Sequence, residues 1–251
     1  MKHSTVLEDK MIRAILFDIN GTLTDILTNE ADENAYRTTA NFLSYYGVDI
    51  SSSTLKESFF NLNRLQRKMS PEEYPEFDSA KIFADVISDY KTSFIADERA
   101  LAQTASVVYR SATRYKLEPY CGVWDTLTIL SKQYQLAAVS DGQSLWAEPE
   151  LKAVKLERFF KFVLVSGDFG YRKPDRRLFD IAIKKLGVTP EETIYVGNDM
   201  YRDVYGARNA GLKTVFFKSN QGEHSYCGAE PDYIIYDFRQ LTDAVEFLNN
   251  R

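Results

Sequence analysis

The chain has 251 residues, of which 44% are hydrophobic and 27% are charged, the composition of an ordinary globular protein. That length suits one large domain or a core domain with a smaller one, and the sequence shows neither an internal repeat nor a low-complexity tract. The formal net charge is −5 and the basic residues are scattered. We therefore expect no nucleic-acid partner, although local donors can still hold a small anionic substrate.

The targeting and redox features of the sequence favour a cytoplasmic protein. Residues 1–10 are polar and lack the apolar run of a signal peptide, and no later stretch approaches the roughly 20 apolar residues of a membrane span. Cys121 and Cys227 lie far apart, and no Cys/His cluster has zinc-ligand spacing. We expect reduced thiols, no export and no membrane insertion.

The first predicted element is a buried strand at 12–17, which ends abruptly in the polar residues Asp18 and Asn20. The sequence pattern then changes, because long helix-compatible stretches follow one another without clear strands between them. This segment predicts an inserted helical cap domain over 25–118. Its predicted helices cover 30–46, 54–68, 79–89 and 98–115.

Strands and helices alternate in the second half of the chain. This alternation predicts an α/β fold, with a Rossmann-like, doubly wound parallel sheet formed by 1–24 and 119–251. Gly187 and Gly211 suit the left-handed position that ends a helix. The predicted strands are 136–139, 162–165, 193–196, 214–217 and an edge strand at 233–235, and the predicted helices include 175–186, 201–210 and 239–248.

Polar residues follow four of these strands, where the carboxyl ends of parallel strands meet in one crevice. Asp18 follows the first strand and Ser140 the second, Lys173 lies in the loop after the third, and Asp199 and Asp203 follow the fourth. Displacement by a carboxylate needs an unhindered aspartate on a rigid strand, with donors and a counter-charge nearby. The sequence predicts that arrangement, with Asp18 as the nucleophile.

Four segments in order carry a specific resemblance. They read Phe-Asp-Ile-Asn-Gly-Thr-Leu at 17–23, Val-Ser-Asp-Gly at 139–142, Arg-Lys-Pro-Asp at 172–175, and Val-Gly-Asn-Asp at 196–199 followed by Asp203. Each follows a predicted strand, and together they cover the core outside the insertion. The set resembles the four motifs of haloacid dehalogenase-like hydrolases.

The resemblance implies a role for each motif. Asp18 would attack phosphorus in line and form an aspartyl-phosphate, which water then hydrolyses. Ser140 would hold a phosphoryl oxygen, and Lys173 would offset the negative charge of Asp18 and the transferring group. The resemblance also implies a turn and substrate-binding positions at Gly21, Thr22, Asp141 and Gly142.

A magnesium ion is implied by the same resemblance. It would bridge Asp18 and the phosphate, with the backbone carbonyl of Asn20 and oxygens of the fourth motif completing its shell. The candidate ligands in that motif are Asn198, Asp199 and Asp203.

The sequence departs from the phosphatase pattern at two positions. Asn20 stands where an aspartate usually protonates the leaving group and activates water, and an amide cannot make that transfer. Asn198 stands where a metal-binding aspartate is common, and it still offers magnesium one neutral oxygen. General acid–base help typically contributes about 10²–10⁴-fold, so ester hydrolysis should be slow unless the leaving group is good.

Three hypotheses follow, and the first is a magnesium-dependent phosphatase of a small phosphorylated metabolite. The second is a metal-independent 2-haloacid dehalogenase, because dehalogenases resemble this chain in lacking the second aspartate. The third is a catalytically impaired binding or regulatory protein on the same fold. Arg64, Arg67 and Lys68 in the insertion can meet an anionic substrate, but a charge run on a helix is more often a solvated face, and we interpret it so.

Overall fold

The computed structural model describes residues 11–250, so the expectation about residues 1–10 lies outside the described part of the chain. In chain order the strands are β1 (Ala14–Phe17), β2 (Thr24–Thr28), β3 (Arg114–Pro119), β4 (Gln135–Ser140), β5 (Val163–Val165), β6 (Thr193–Gly197), β7 (Lys213–Phe217) and β8 (Tyr233–Ile235). The helices are α1 (Glu33–Tyr45), α2 (Ser52–Met69), α3 (Ser79–Tyr90), α4 (Glu98–Thr113), α5 (Val123–Leu130), α6 (Ser144–Ala153), α7 (Arg176–Leu186), α8 (Gly206–Asn209) and α9 (Leu241–Asn249).

Six parallel strands form the central sheet in the order β5-β4-β1-β6-β7-β8. Strand β1 is wholly buried and its side chains alternate between two hydrophobic clusters. Ile15 and Phe17 pack with α5, α6 and α9, whereas Ala14 and Leu16 pack with α7 and α8. Helices therefore cover both faces of the sheet, as a parallel sheet requires, and the predicted α/β fold class is confirmed.

The strand order reverses at β1, which lies between β4 and β6. Phe17 pairs with Ala138 on one side and with Val196 on the other. The residues that follow these strands therefore leave the sheet at the same edge. A reversal of strand order opens a crevice outside the carboxyl ends of the strands, and ligands of α/β proteins bind there.

The four helices of the insertion pack around an aromatic cluster of their own. Tyr36, Phe59, Phe83 and Tyr109 are its large buried members. Each of the four helices begins at a residue whose side chain accepts a hydrogen bond from a first-turn backbone N–H, which stabilises the helix start. The four predicted helices are confirmed, with ends shifted by a few residues.

Strands β2 and β3 form an antiparallel pair at the two ends of the insertion. Thr24 pairs with Pro119 and Ile26 with Leu117, so the chain leaves the sheet and returns to it side by side. These two strands were not predicted from the sequence. The division at residues 24/25 and 118/119 stays a prediction.

Three further features of the described residues bear on the predictions. The segment predicted as one helix at 201–210 consists of a π-helical turn, Met200–Tyr205, followed by the short α8. Over 11–250, no helix combines the length and the apolar character needed to cross a membrane. Both cysteines, Cys121 and Cys227, are free and exposed.

Candidate active site

A buried lysine links two carboxylates at the carboxyl edge of the sheet. The Nζ atom of Lys173 donates hydrogen bonds to Oδ1 of Asp18 at 2.7 Å and to Oδ1 of Asp203 at 2.6 Å. All three side chains are almost completely buried. Burial alone would lower the pKa of Lys173, but the charges of Asp18 and Asp203 outweigh it and raise that pKa well above its usual value. The lysine is therefore a permanent cation beside Asp18.

Tyr195, in the middle of β6, completes this cluster. Its hydroxyl accepts a hydrogen bond from Nζ of Lys173 at 3.0 Å, and it faces two acceptors, the carbonyl oxygen of Val139 at 2.9 Å and Oδ1 of Asp203 at 3.2 Å. Burial raises the pKa of Tyr195 well above its usual value, and the charge of Asp203 adds to the effect. Tyr195 was not predicted from the sequence as a site residue. A tyrosine within a buried aliphatic strand was the available signal, because its hydroxyl must find a partner there.

Asp203 is held from its other side by the chain itself. Its Oδ2 atom accepts hydrogen bonds from the backbone N–H groups of Asn198 and Asp199, both at 3.0 Å. Burial raises the pKa of Asp203 and the charge of Asp18 adds to this, while Lys173 opposes it. A Cβ atom at Gly197 would clash with the side chain of Asp203, which explains the glycine at this position. Both oxygens of Asp203 are thus engaged by protein donors.

Asp199 caps the start of the π-helical turn. Its Oδ1 accepts from the backbone N–H groups of Tyr201 at 3.1 Å and Arg202 at 2.8 Å, and its Oδ2 accepts from Nε of Arg202 at 3.0 Å. Burial alone would raise the pKa of Asp199, but the N–H groups and the charge of Arg202 outweigh it and lower that pKa. The carboxylate is therefore already paired with a cation and a helix terminus.

Thr22 and Asn198 lie against the free side of the nucleophile. The hydroxyl of Thr22 is 3.3 Å from Oδ2 of Asp18 and 3.0 Å from Oδ1 of Asn198. A Cβ atom at Gly21 would clash with the amide of Asn198, so glycine lets the two loops approach each other. Gly21 and Thr22 were both expected on the substrate side. Both lie against Asn198 of the fourth motif, and Thr22 also contacts Asp18.

The second motif lies beside Asp18. Oγ of Ser140 is 3.4 Å from Oδ1 of Asp18, and Oδ1 of Asp141 accepts from the backbone N–H of Lys173 at 2.9 Å. Among the described residues, Oδ2 of Asp141 is buried without a hydrogen-bond partner, and burial raises the pKa of this carboxyl. The N–H of Gly142 donates to Oγ of Ser166 at 2.9 Å.

A cavity of about 350 Å3 lies between the insertion and the edge of the sheet, a size suited to a small metabolite. Asn20 lines it, and its Oδ1 accepts a hydrogen bond from Oγ1 of Thr24 at 3.2 Å. Arg67 also lines it, whereas Arg64 and Lys68 are exposed, so the charge run of α2 is not uniformly solvated. The cavity is lined by Asn20, Ile26, Thr28, Glu30, Arg67, Glu76, Phe77, Arg110, Asp141, Gly142, Gln143, Trp146, Ala147, Glu150 and Arg172.

The oxygen atoms near Asp18 suit a hard cation. Magnesium is commonly bound by one or two carboxylates, with waters and substrate phosphate completing its shell. Oδ2 of Asp18 and Oδ1 of Asn198 each face a neutral hydroxyl, that of Thr22, and neither is paired with a cation. Within residues 11–250, no cluster of three or more acidic, His or Cys side chains forms a ready metal cage. The donor set fits a magnesium ion that keeps most of its waters.

The family follows from comparison with known proteins. A family model described as haloacid dehalogenase-like hydrolase matches residues 15–217, most of the chain. The match begins within β1, runs to the end of β7 and contains all four motifs. The chain belongs to the haloacid dehalogenase-like hydrolases, and it is a hydrolase.

Curated relatives match along nearly the full chain. A glyceraldehyde 3-phosphate phosphatase of Methanopyrus kandleri is 30% identical over 248 residues, covering 95% of this chain and 99% of the relative. One from Pyrococcus furiosus is 28% identical, covering 94% of each chain. A phosphoglycolate phosphatase of Agrobacterium fabrum is 25% identical, covering 92% of this chain and 91% of the relative.

Solved structures share the fold. A 2-haloacid dehalogenase from Pseudomonas syringae pv. Tomato DC3000 aligns with a TM-score of 0.69 at 22% identity, covering 94% of this chain and 99% of the other. A HAD phosphatase from Thermococcus onnurineus aligns with a TM-score of 0.61 at 24% identity, covering 93% and 98%. A dehalogenase and a phosphatase thus have this fold in common, and the fold does not decide between the two reactions.

Proposed function

We propose that the protein is a magnesium-dependent phosphatase of a small phosphorylated metabolite, with Asp18 as its nucleophile. The observation that carries the proposal is the pairing of Asp18 with the buried cation Lys173, at the crevice where β1, β4 and β6 end. A cavity of small-metabolite size lies at the same edge. The phosphatase names of the curated relatives support the choice of phosphorus as the target.

The reaction proceeds in two steps. A carboxylate oxygen of Asp18 forms a bond to phosphorus in line with the leaving oxygen, and the bond between phosphorus and that oxygen breaks with its electron pair leaving on oxygen. The departing oxygen takes a proton from solvent. Water then attacks phosphorus of the aspartyl-phosphate, and the bond from phosphorus to the Asp18 oxygen breaks with its electron pair returning to the carboxylate. The protons of the attacking water stay on the released phosphate or pass to solvent. Throughout, Lys173 offsets the charge beside Asp18, and Ser140 donates to a phosphoryl oxygen.

The residues that would hold magnesium are Asp18 and Asn198, through side-chain oxygens, and Asn20, through its backbone carbonyl, with water and substrate oxygens as further ligands. The ion would offset negative charge on the phosphoryl oxygens. Asp203 acts as a positioning residue through Lys173, because both of its oxygens accept from protein donors. Asp199 likewise fixes the start of the π-helical turn and the side chain of Arg202.

Asn20 limits which substrates are turned over quickly. Its amide cannot give a proton to the departing oxygen or take one from the attacking water. The lost acid–base help corresponds to about 10²–10⁴-fold in rate. We therefore propose that the protein prefers phosphates whose leaving group departs readily or carries its own proton donor. The cytoplasmic location stays a prediction from the sequence.

The test is phosphate release from a panel of phosphate monoesters, with p-nitrophenyl phosphate as the ester with a good leaving group. We expect release with magnesium, its loss on chelation, and its abolition in Asp18→Asn. Asp85→Asn is the matched control, since Asp85 lies on α3 in an exposed pair with Lys81. Failure of the whole panel with magnesium would overturn the proposal.

A metal-independent 2-haloacid dehalogenase is the second candidate. The observation that favours it is the engagement of Asp199 and Asp203 by protein donors, which leaves Asp18 as the carboxylate with a free side. Halide release from a 2-haloacid in the presence of a chelator would establish this activity. Absence of both halide and phosphate release would favour a binding or regulatory protein.

A further inference from the structure

Two arginines, one from the insertion and one from the sheet domain, meet at the cavity. Arg67 lies in the last turn of α2, and Arg172 directly precedes Lys173 in the loop before α7. Both line the cavity, and both are half-buried. Burial lowers the pKa of Arg67, and the positive charge of Arg172 lowers it further, whereas the negative charge of Glu76 raises it. The two guanidinium groups are therefore close enough to repel each other. Like charges thus face each other across the cavity.

The guanidinium of Arg172, which lines the cavity, has no hydrogen-bond or ion-pair partner among residues 11–250. A half-buried guanidinium carries five N–H donors, and leaving them unpaired away from bulk water is costly. Arg67 is only partly satisfied. Its Nη2 lies 3.3 Å from Oε1 of Glu76, its Nε donates to Asn63 at 3.1 Å, and its guanidinium lies over the ring of Phe77.

Several other charged groups in the cavity are already held by protein partners. Arg110 forms a two-point pair with Glu150, with Nε at 2.8 Å from Oε1 and Nη2 at 3.2 Å from Oε2. Glu76 accepts from Oγ of Ser166 at 2.8 Å as well as from Arg67, and Glu30 is exposed at the cavity edge. Asp141 and Glu30 also line the cavity, so its carboxylates are not used up by these pairs. Among the described residues that line it, Arg172 is the guanidinium without a hydrogen-bond or ion-pair partner.

From this geometry we infer that Arg67 and Arg172 bind a carboxylate carried by the substrate at the end opposite the phosphoryl group. The inference rests on the proposed phosphatase function and names its substrate class, a small phosphorylated carboxylic acid. A guanidinium fork matches a carboxylate in two parallel hydrogen bonds. Asp141 and Glu30 also line the cavity, and their negative charge disfavours a second phosphate, with nearly two negative charges, more than a carboxylate, with one.

The pair also connects substrate identity with the position of the insertion. Arg67 belongs to the insertion and Arg172 to the sheet domain, so a carboxylate held by both replaces their mutual repulsion with two attractions. A substrate without that group leaves the repulsion in place. The carboxylate therefore favours the arrangement in which the insertion covers the reacting group and excludes water from it.

Three phosphate esters of matched size test the inference. 3-Phosphoglycerate, glyceraldehyde 3-phosphate and glycerol 3-phosphate differ only in carrying a carboxylate, an aldehyde or an alcohol at the far end. We expect kcat/KM for 3-phosphoglycerate to exceed that for the other two by about ten-fold or more, mostly through KM, because charge-assisted hydrogen bonds are worth that much. In Arg172→Gln the preference for the carboxylate should fall towards one.

Arg67→Gln is the second variant, and it should also lose the preference; it keeps the test decisive if Arg172→Gln does not fold. Arg64→Gln is the matched control, because Arg64 is exposed on the same helix and does not line the cavity. It should retain the wild-type preference. Equal or faster hydrolysis of the aldehyde or the alcohol overturns the inference, and so does a preference that survives in both cavity variants.

Calorimetry separates failure of this inference from failure of the proposed function. Asp18→Asn protein cannot form the phosphoryl intermediate, so it reports binding alone. If no ester is hydrolysed, tighter binding of 3-phosphoglycerate than of glycerol 3-phosphate, lost when Arg172→Gln is added, would still support the carboxylate site. Equal binding of the two compounds would overturn it.

Discussion

The ammonium of Lys173 lies 2.7 Å from a carboxylate oxygen of Asp18, with both side chains almost completely removed from solvent. Asp203 lies on the other side of the same ammonium at 2.6 Å. A buried cation between two buried carboxylates leaves one net negative charge, and the remaining oxygens of the cluster accept from backbone and hydroxyl donors. This arrangement fixes Asp18 in position beside a cation, as attack on phosphorus requires.

Replacing Lys173 should therefore cost stability as well as activity. In Lys173→Met the carboxylates of Asp18 and Asp203 lose their common counter-charge, and breaking a buried ion pair typically costs about 3–5 kcal/mol. The free energy of unfolding, measured by urea denaturation, should fall by that amount. Lys184→Met, at an exposed position on α7, is the control and should change it by less than about 0.5 kcal/mol. Similar stability of the two variants would contradict the assignment.

Tyr195 should matter for turnover although it is not among the residues that line the cavity. Tyr195→Phe removes the hydroxyl that accepts from Lys173 and that lies 2.9 Å from the carbonyl oxygen of Val139. We expect kcat to fall by about ten-fold with KM nearly unchanged, since a lost buried hydrogen bond is worth about 1–2 kcal/mol. Tyr45→Phe, at a highly exposed position, should leave both constants unchanged. An unchanged kcat in Tyr195→Phe would show that the hydroxyl has no part in positioning Lys173.

Asn20→Asp should increase phosphatase activity. The new carboxyl is nearly isosteric with the amide and keeps the oxygen that accepts from Oγ1 of Thr24 at 3.2 Å, so its orientation is preserved. It adds a group that protonates the leaving oxygen, and we expect kcat for a poor leaving group to rise by up to about 10²-fold. The rise should be smaller for p-nitrophenyl phosphate. If neither rate rises, the asparagine is not what limits turnover.

Glu76 should make stability depend on pH. Burial raises the pKa of this carboxyl, which accepts from Oγ of Ser166 at 2.8 Å and from the backbone N–H of Phe77 at 3.0 Å. Because the folded-state pKa is raised, the stabilising contribution is complete below the unfolded-state value of about 4.3 and is lost as pH rises through the folded-state value. Wild type should lose stability relative to Glu76→Gln across that range, by up to about 1.4 kcal/mol per pH unit.

The comparison is the free energy of unfolding of wild type and Glu76→Gln at several pH values between about 4 and 8. The glutamine keeps an acceptor for Phe77, and the hydroxyl of Ser166 is able to reverse its donor role, so the variant is a fair neutral reference. A constant difference between the two proteins would contradict a raised pKa at Glu76.

Much of the fold could be predicted from the sequence because its signals are local. The apolar run before Asp18 becomes β1, and Gly187 takes the left-handed conformation with φ of 68° at the end of α7, as its position after the periodic stretch indicated. Strands β2 and β3 could not be predicted in the same way. Their pairing joins residues about ninety positions apart, as Asp25 with Glu118, and neither strand alternates cleanly in burial.

The candidate site was likewise predictable where its signals are local and not where they depend on distant parts of the chain. Asp18, Ser140 and Lys173 follow strands whose carboxyl ends share an edge, and the structure brings them together. Tyr195 was missed because its role depends on a neighbouring strand and on a lysine 22 positions away. The engagement of Asp199 by Arg202 was missed because a π-helical turn, rather than a regular helix, follows the fourth motif.

Trapping of the covalent intermediate tests the role of Asp18 most directly. Protein mixed with p-nitrophenyl phosphate and magnesium, quenched in acid and digested, is examined by mass spectrometry for the peptide that contains residues 12–23. We predict the added mass of one phosphoryl group on Asp18, absent from Asp18→Asn, which should also release no phosphate. Phosphate release by folded Asp18→Asn at the wild-type rate, or a phosphoryl group on another residue, would contradict Asp18 as the nucleophile.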